Sequence, residues 1–182
     1  MKKIPLLAAA TTLLTAGLAQ AAPTVNGGTV HFTGEFVNAA CAVSSDTANQ
    51  TVDLGQHRTA QIKKAGDYTS NVPFQIKLVG CDSTVSKTAQ FAFSGPQDTT
   101  DTTLLKIHSG PSANAVSATG VGIEISDSKG NVLTPDGTVF STAQNLIDGN
   151  NTFNFIARYK ATAASATAGQ AYADANFVIN YN

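Results

Sequence analysis

The sequence predicts an all-β domain, a sandwich or a barrel, and three observations carry that prediction. Short β-rich or alternating runs recur along the chain, clusters of Gly, Pro, Asn and Asp separate them, and no sustained 3.6-residue apolar period is present. The 182 residues are 42% hydrophobic and 13% charged, so the chain can bury one sizeable core, and intrinsic disorder is disfavoured. Eleven Lys and Arg against twelve Asp and Glu leave a net charge of −1. That balance provides no basic footprint for a phosphate backbone, and nucleic acid is not an expected partner. The polar surface must come from Thr, Ser and Asn, a palette that suits an extracellular β protein.

Residues 1–21 read as a secretory signal that stands outside the fold. Lys2 and Lys3 form a basic start, residues 4–18 are apolar with small side chains, and Ala19-Gln20-Ala21 is a small-x-small cleavage site. A membrane anchor needs about 20 apolar residues, and Thr11, Thr12 and Thr15 interrupt this run. Cleavage after Ala21 leaves nine basic against twelve acidic side chains, a net of −3, and removes the single methionine. In an exported chain the two cysteines, Cys41 and Cys81, read as one structural disulfide; a redox site would want Cys-x-x-Cys. Closing that forty-residue loop is worth at most about 4 kcal/mol on the chain-entropy account.

In order along the mature chain, the β-rich runs are 29–36, 40–44, 51–55, 74–79, 89–93, 104–108, 120–126, 131–133, 152–159 and 175–181. Ser94-Gly95-Pro96, Ser109-Gly110-Pro111, Lys129-Gly130-Asn131, Pro135-Asp136-Gly137 and Asp148-Gly149-Asn150 punctuate them as turns. Only 60–66 and the Ala-rich 161–168 could pass for helix. No repeat or linker is visible, and one domain is expected.

The two ends carry the most specific patterns. Val30, Phe32, Gly34 and Phe36 share one face of an extended segment, with His31, Thr33 and Glu35 on the other. Gly34 interrupts the apolar series where a missing side chain lets a backbone come close. Residues 22–28 before it are polar and Gly-containing, a lead rather than a packed strand. At the other end Ala173, Ala175, Phe177, Ile179 and Tyr181 lie on one face, opposite Asp174, Asn176, Asn180 and Asn182. Patterning alone leaves either end strand free to be an ordinary edge strand.

The mature chain resembles the major structural subunits of type 1 fimbriae, which are assembled by the chaperone–usher route. The blocks that carry the resemblance are Asn26-Gly-Gly-Thr-Val-His-Phe-Thr-Gly34, Val37-Asn-Ala-Ala-Cys-Ala-Val43, Gln50-Thr-Val-Asp-Leu-Gly-Gln56 and Arg58-Thr59-Ala60. Gly80-Cys81-Asp82, Gly120-Val-Gly-Ile-Glu-Ile125, Asp136-Gly137 and Ala157-Arg158-Tyr159 follow in order. Gly169, fourteenth from the C-terminus, and the penultimate Tyr181 are marks of subunits handled by periplasmic chaperones.

The resemblance implies an incomplete immunoglobulin-like β-sandwich that lacks its last strand. On that reading residues 1–21 are the signal peptide, 22–36 an N-terminal donor-strand extension, and 37–182 the pilin domain. Val30, Phe32 and Phe36 would be donated side chains, with Gly34 at a shallow point. Gly169, Phe177, Ile179, Tyr181 and Asn182 would belong to the groove side and contact the chaperone. Implied partners are identical subunits joined head to tail, a periplasmic pilus chaperone, an outer-membrane usher, minor fimbrial subunits and a tip adhesin. The implied route runs through the periplasm to a fimbria on the bacterial surface. Strand addition of this kind is a recognised mode of peptide binding, with chaperone–pilin complementation among its examples, and a head-to-tail interface gives an open filament.

Other functions find less support in the residues. A minor adaptor subunit would look similar, although the rod-like blocks favour the rod subunit. A lectin-bearing tip adhesin would need a second domain. For a secreted hydrolase, Ser126-Asp127-Ser128-Lys129 matches Ser-x-x-Lys, yet it precedes Gly130-Asn131 in a turn and lacks the companion motifs. His31, His57 and His108 lack ligand spacing, Asp98 and Asp101 lie among threonines in a loop, and no phosphate-binding glycine loop is present. No catalytic residue, metal or cofactor is expected.

Overall fold

The structure is a computed structural model, and it describes residues 25–111 and 114–182. Residues 1–24, which hold the expected signal peptide and the first three residues of the expected extension, lie outside the described residues. The chain divides into two units, Met1–Glu35 and Phe36–Asn182. In the first, residues 25–35 form no strand or helix, and each is exposed.

The second unit contains every regular element among the described residues. These are β1 (Ala42–Val43), the one-turn helix α1 (Ser45–Ala48), a 3-10 turn (Thr59–Gln61), β2 (Val72–Cys81), β3 (Thr88–Ser94) and β4 (Val121–Asp127), then β5 (Gln144–Asn145), β6 (Gly149–Ala161) and β7 (Asn176–Tyr181). All strand pairs are antiparallel. One sheet has the order β1-β2-β6-β4 and the other β5-β3-β7.

β6 is the longest strand because its sequence alternates over most of its length. Asn151, Phe153, Phe155 and Ala157 are buried, while Thr152 and Asn154 between them are exposed. Its aromatic residues meet β3 across the sandwich. Phe91 lies 4.6 Å from Phe153 and 5.5 Å from Phe155 between ring centroids, and Phe93 lies 5.2 Å from Phe155, in tilted or edge-on arrangements that aromatic pairs prefer. Ile76 and Leu78 of β2 and Ile123 and Ile125 of β4 complete this core.

β4 is buried along its whole length because both of its faces are covered. Leu105 exchanges backbone hydrogen bonds with Ile123 at 2.8 and 3.1 Å, which brings the fully buried Leu104 onto the strand. Gly122 permits that approach: a β-carbon there would stand 2.8 Å from the β-carbon of Leu104. Beside it Glu124, 2% exposed, accepts from Arg158 Nε and Nη2 at 2.9 and 2.7 Å. Lys160 approaches the same carboxylate at 3.7 Å and donates to Asp101 at 2.9 Å. That bond to Asp101 raises the Lys160 pKa against the opposing effect of burial. The Arg158 guanidinium also lies 3.7 Å over the Tyr68 ring, so the buried carboxylate is paired and its partner is held in place.

Several expected elements take a different form. The runs 104–108 and 131–133 make only isolated bridges, to Gln97, Ile123, Tyr172 and Ser126, since each meets its neighbour at single residues. The stretch 161–168 is not helical: Ala161 ends β6 and bends follow, while 60–66 retains only the 3-10 turn. α1 was not expected from the sequence. It is fixed by tertiary bonds, the Lys77 amide donating to the Thr47 hydroxyl at 3.1 Å and the Lys77 ammonium to Asp46 at 2.7 Å.

Candidate assembly site

The disulfide between Cys41 and Cys81 forms as expected and pins the approach to β1 against the end of β2. Beside it the Asp82 amide donates to the Ala40 carbonyl at 2.9 Å. β1 is the edge strand of its sheet and only two residues long, so it covers only Leu78 and Val79 of β2. Further along the same side, side chains and loop backbone replace a strand. The Ser44 amide donates to the Lys77 carbonyl at 2.9 Å and Gln50 Nε2 to the Gln75 carbonyl at 2.9 Å.

β7 is the edge strand of the second sheet. Its residues pair with β3 in the register Ala89 to Tyr181, Phe91 to Ile179 and Phe93 to Phe177. The β3 members of these pairs are buried, Phe91 completely. Their β7 partners face the same core yet remain half-buried, so protection from water falls away within one strand spacing of about 4.8 Å. On the β1 side Val43, Leu54 and Phe74 are likewise half-buried against this core. Phe74 and Phe177, from different sheets, both approach Phe93, at 6.1 and 6.3 Å between centroids.

The segment 51–55 adds a second sign of incompleteness. Its side chains alternate between exposed and half-buried as those of a strand do, Val52 and Leu54 facing inward. It nevertheless forms no strand. The sequence periodicity is present and the partner that would complete the ladder is not, among the described residues.

Each residue expected at the assembly site has a position among the described residues. Val30, Phe32 and Phe36 are 74%, 91% and 106% exposed, and Gly34 has no atom within 4 Å of where a β-carbon would stand. Asn182 anchors the C-terminus through its carbonyl, which accepts from the Lys87 and Thr88 amides at 2.7 and 2.8 Å. Gly169 lies ahead of β7, where the chain crosses residues 116–118. A β-carbon there would collide with the backbone of Ser117 and Ala118, so close backbone approach explains glycine at this position. Sequence reasoning did not single out Val43, Leu54 and Phe74 for the site; they appeared there as members of the β-rich runs 40–44, 51–55 and 74–79.

Among the described residues no group of three His, Cys, Asp or Glu converges as a metal site. His57 contacts the Leu54 carbonyl at 2.9 Å, and His108 contacts Asp174 at 3.2 Å. Ser126 is buried in β4 while Lys129 is exposed in the following turn.

The geometry therefore presents two open strand edges on one apolar core. A sequence profile described as "Fimbrial protein" matches residues 30–182. The chain belongs to this fimbrial family. "Fimbrial subunit type 1" of Salmonella typhimurium is 54% identical to it over 157 residues, covering 86% of this chain and 84% of that one. "Type-1 fimbrial protein, A chain" of Salmonella typhi is 54% identical over 176 residues and 94% of each chain. Among solved structures, a chaperone–usher pilus analysed for rod uncoiling superposes with a TM-score of 0.71 at 30% identity, covering 88% of this chain and all of the other. The P pilus rod subunit PapA gives 0.66 at 29% identity, covering 79% and 100%. The fimbrial chain thus has an incomplete immunoglobulin-like sandwich, and its family is a structural one rather than an enzyme family.

Proposed function

We propose that this chain is the major structural subunit of a type 1-like fimbria, polymerising by donor-strand exchange. The observation that carries the reading is the half-burial of Phe177, Ile179 and Tyr181 on an edge strand, matched by Val43, Leu54 and Phe74 on the other side of the same core. The incoming strand is residues 29–36 of the next copy. Val30, Phe32 and Phe36 supply its apolar face, and Gly34 meets the groove where backbone rather than side chain must fit. Burying three such side chains contributes roughly 1.5–3 kcal/mol each, and each ladder hydrogen bond adds roughly 0.5–1.5 kcal/mol.

Before polymerisation a periplasmic chaperone covers the same edges, since an exposed apolar edge is an aggregation hazard. The signal peptide delivers the chain to that compartment, an usher passes it outward, and minor subunits with a tip adhesin end the fibre. The subunit performs no catalysis in this role. Relatives named as type 1 fimbrial subunits and a neighbour solved as a pilus rod support the rod assignment over an adaptor.

Deleting residues 22–36 tests the function. The expected product is a chaperone-bound monomer without fibres by electron microscopy; normal filaments from the deleted chain would refute the reading.

A further inference from the structure

At one end the gap between the two open edges is already bridged. The Tyr181 hydroxyl donates to the Cys41 carbonyl at 3.3 Å. No backbone N–H among the described residues takes that carbonyl, so the phenol is the partner it has. Both anchors are firm. Cys41 is fixed by its disulfide to β2, while Tyr181 is held on β3 by its ladder pairing with Ala89 and by the bonds of Asn182 next to it. The ring is half-buried, and burial raises the phenol pKa, so the hydroxyl remains a neutral donor at ordinary pH.

We propose that the Tyr181 hydroxyl is a placeholder: it occupies the Cys41 carbonyl while the groove is empty and is displaced when a strand is laid between β7 and β1. This rests on the donor-strand reading above and adds a regulatory contact to the same site. A strand entering there crosses the line of the phenol–carbonyl bond, and its own amides compete for the carbonyl. The bond keeps a carbonyl satisfied that would otherwise face the open groove. It also makes the last stretch of strand entry a substitution of one hydrogen bond for another. Insertion from the Tyr181 end is consequently slower than it would be with that carbonyl free.

The test follows association of a fluorescent peptide of residues 25–37 with the refolded mature chain by anisotropy, peptide in excess. Tyr181→Phe keeps the ring and removes the donor; Tyr172→Phe, at a 53% exposed tyrosine, is the control. One net hydrogen bond corresponds to an association rate about two- to tenfold faster for Tyr181→Phe, with the control at the wild-type rate. An unchanged or slower rate would overturn the placeholder. Hydroxyl-proton exchange of Tyr181 in the wild-type chain gives a second readout, protected in the free subunit and unprotected with peptide bound. Persisting protection in the complex would also overturn it. If the wild-type chain takes up no peptide, the donor-strand reading fails and the placeholder with it; if it does and the variant gains nothing, only the placeholder fails.

Discussion

β4 and β7 are both flanking strands with alternating apolar residues, and they end in opposite conditions. β4 is covered on both faces: Leu104 sits over Gly122, and Glu124 is closed in by Arg158. β7 presents Phe177, Ile179 and Tyr181 to the same core and leaves them half-buried. The difference lies in what each strand has beside it. Residues 97–105 fold over β4 from within the chain, whereas β7 has β3 on one side only. Apolar patterning therefore marks what must be buried without saying which molecule buries it.

The contrast can be tested by mutation, beginning with the largest expected effect. Phe155→Ala, in the finished core, should cost about 3–5 kcal/mol in urea unfolding of the free subunit. Phe177→Ala should cost roughly half as much there, because its ring is already partly in water. Equal losses would mean that β7 is as complete as β6. On the covered side, Glu124→Ala should cost about 3 kcal/mol, since Arg158 would lose its buried partner. The same measurement with Glu124→Gln should fall well short of that, because an acceptor oxygen remains.

Asp127 offers a smaller, pH-dependent test. Burial pushes its carboxyl up, but the Thr142 amide and hydroxyl, each at 2.8 Å, and the Asn131 side chain and amide outweigh that. The result is a pKa lowered from 3.8 to about 2. Because the folded value is the depressed one, the stabilisation is complete well above 3.8 and is lost as pH falls through about 2. It amounts to about 2 kcal/mol. Asp127→Asn should flatten the acid limb of stability against pH between those values; an unaltered limb would place the acid sensitivity elsewhere.

These residues also mark how far the sequence could be read. The strands β2, β3, β4, β6 and β7 were legible because each alternates or is β-rich between turn-forming residues. The pairing of Cys41 with Cys81 was legible from count and compartment. The segment 51–55 read as a strand and has the side-chain alternation of one, but a ladder needs a neighbour that periodicity cannot supply. Glu124 with Arg158, and Gly122 with Leu104, join residues far apart in sequence, and no local pattern announces either pair. In the candidate site, the C-terminal stripe was legible as a face, while Val43, Leu54 and Phe74 on the opposite edge emerged only from packing.

The most direct test of the central claim is urea unfolding of the refolded mature chain with and without a synthetic peptide of residues 29–37. At a hundred times its dissociation constant, a peptide that enters the groove adds about 2.7 kcal/mol. A Gly34→Leu version of the peptide should add far less. Unfolding that is unchanged by the native peptide, or raised equally by both, would contradict the account.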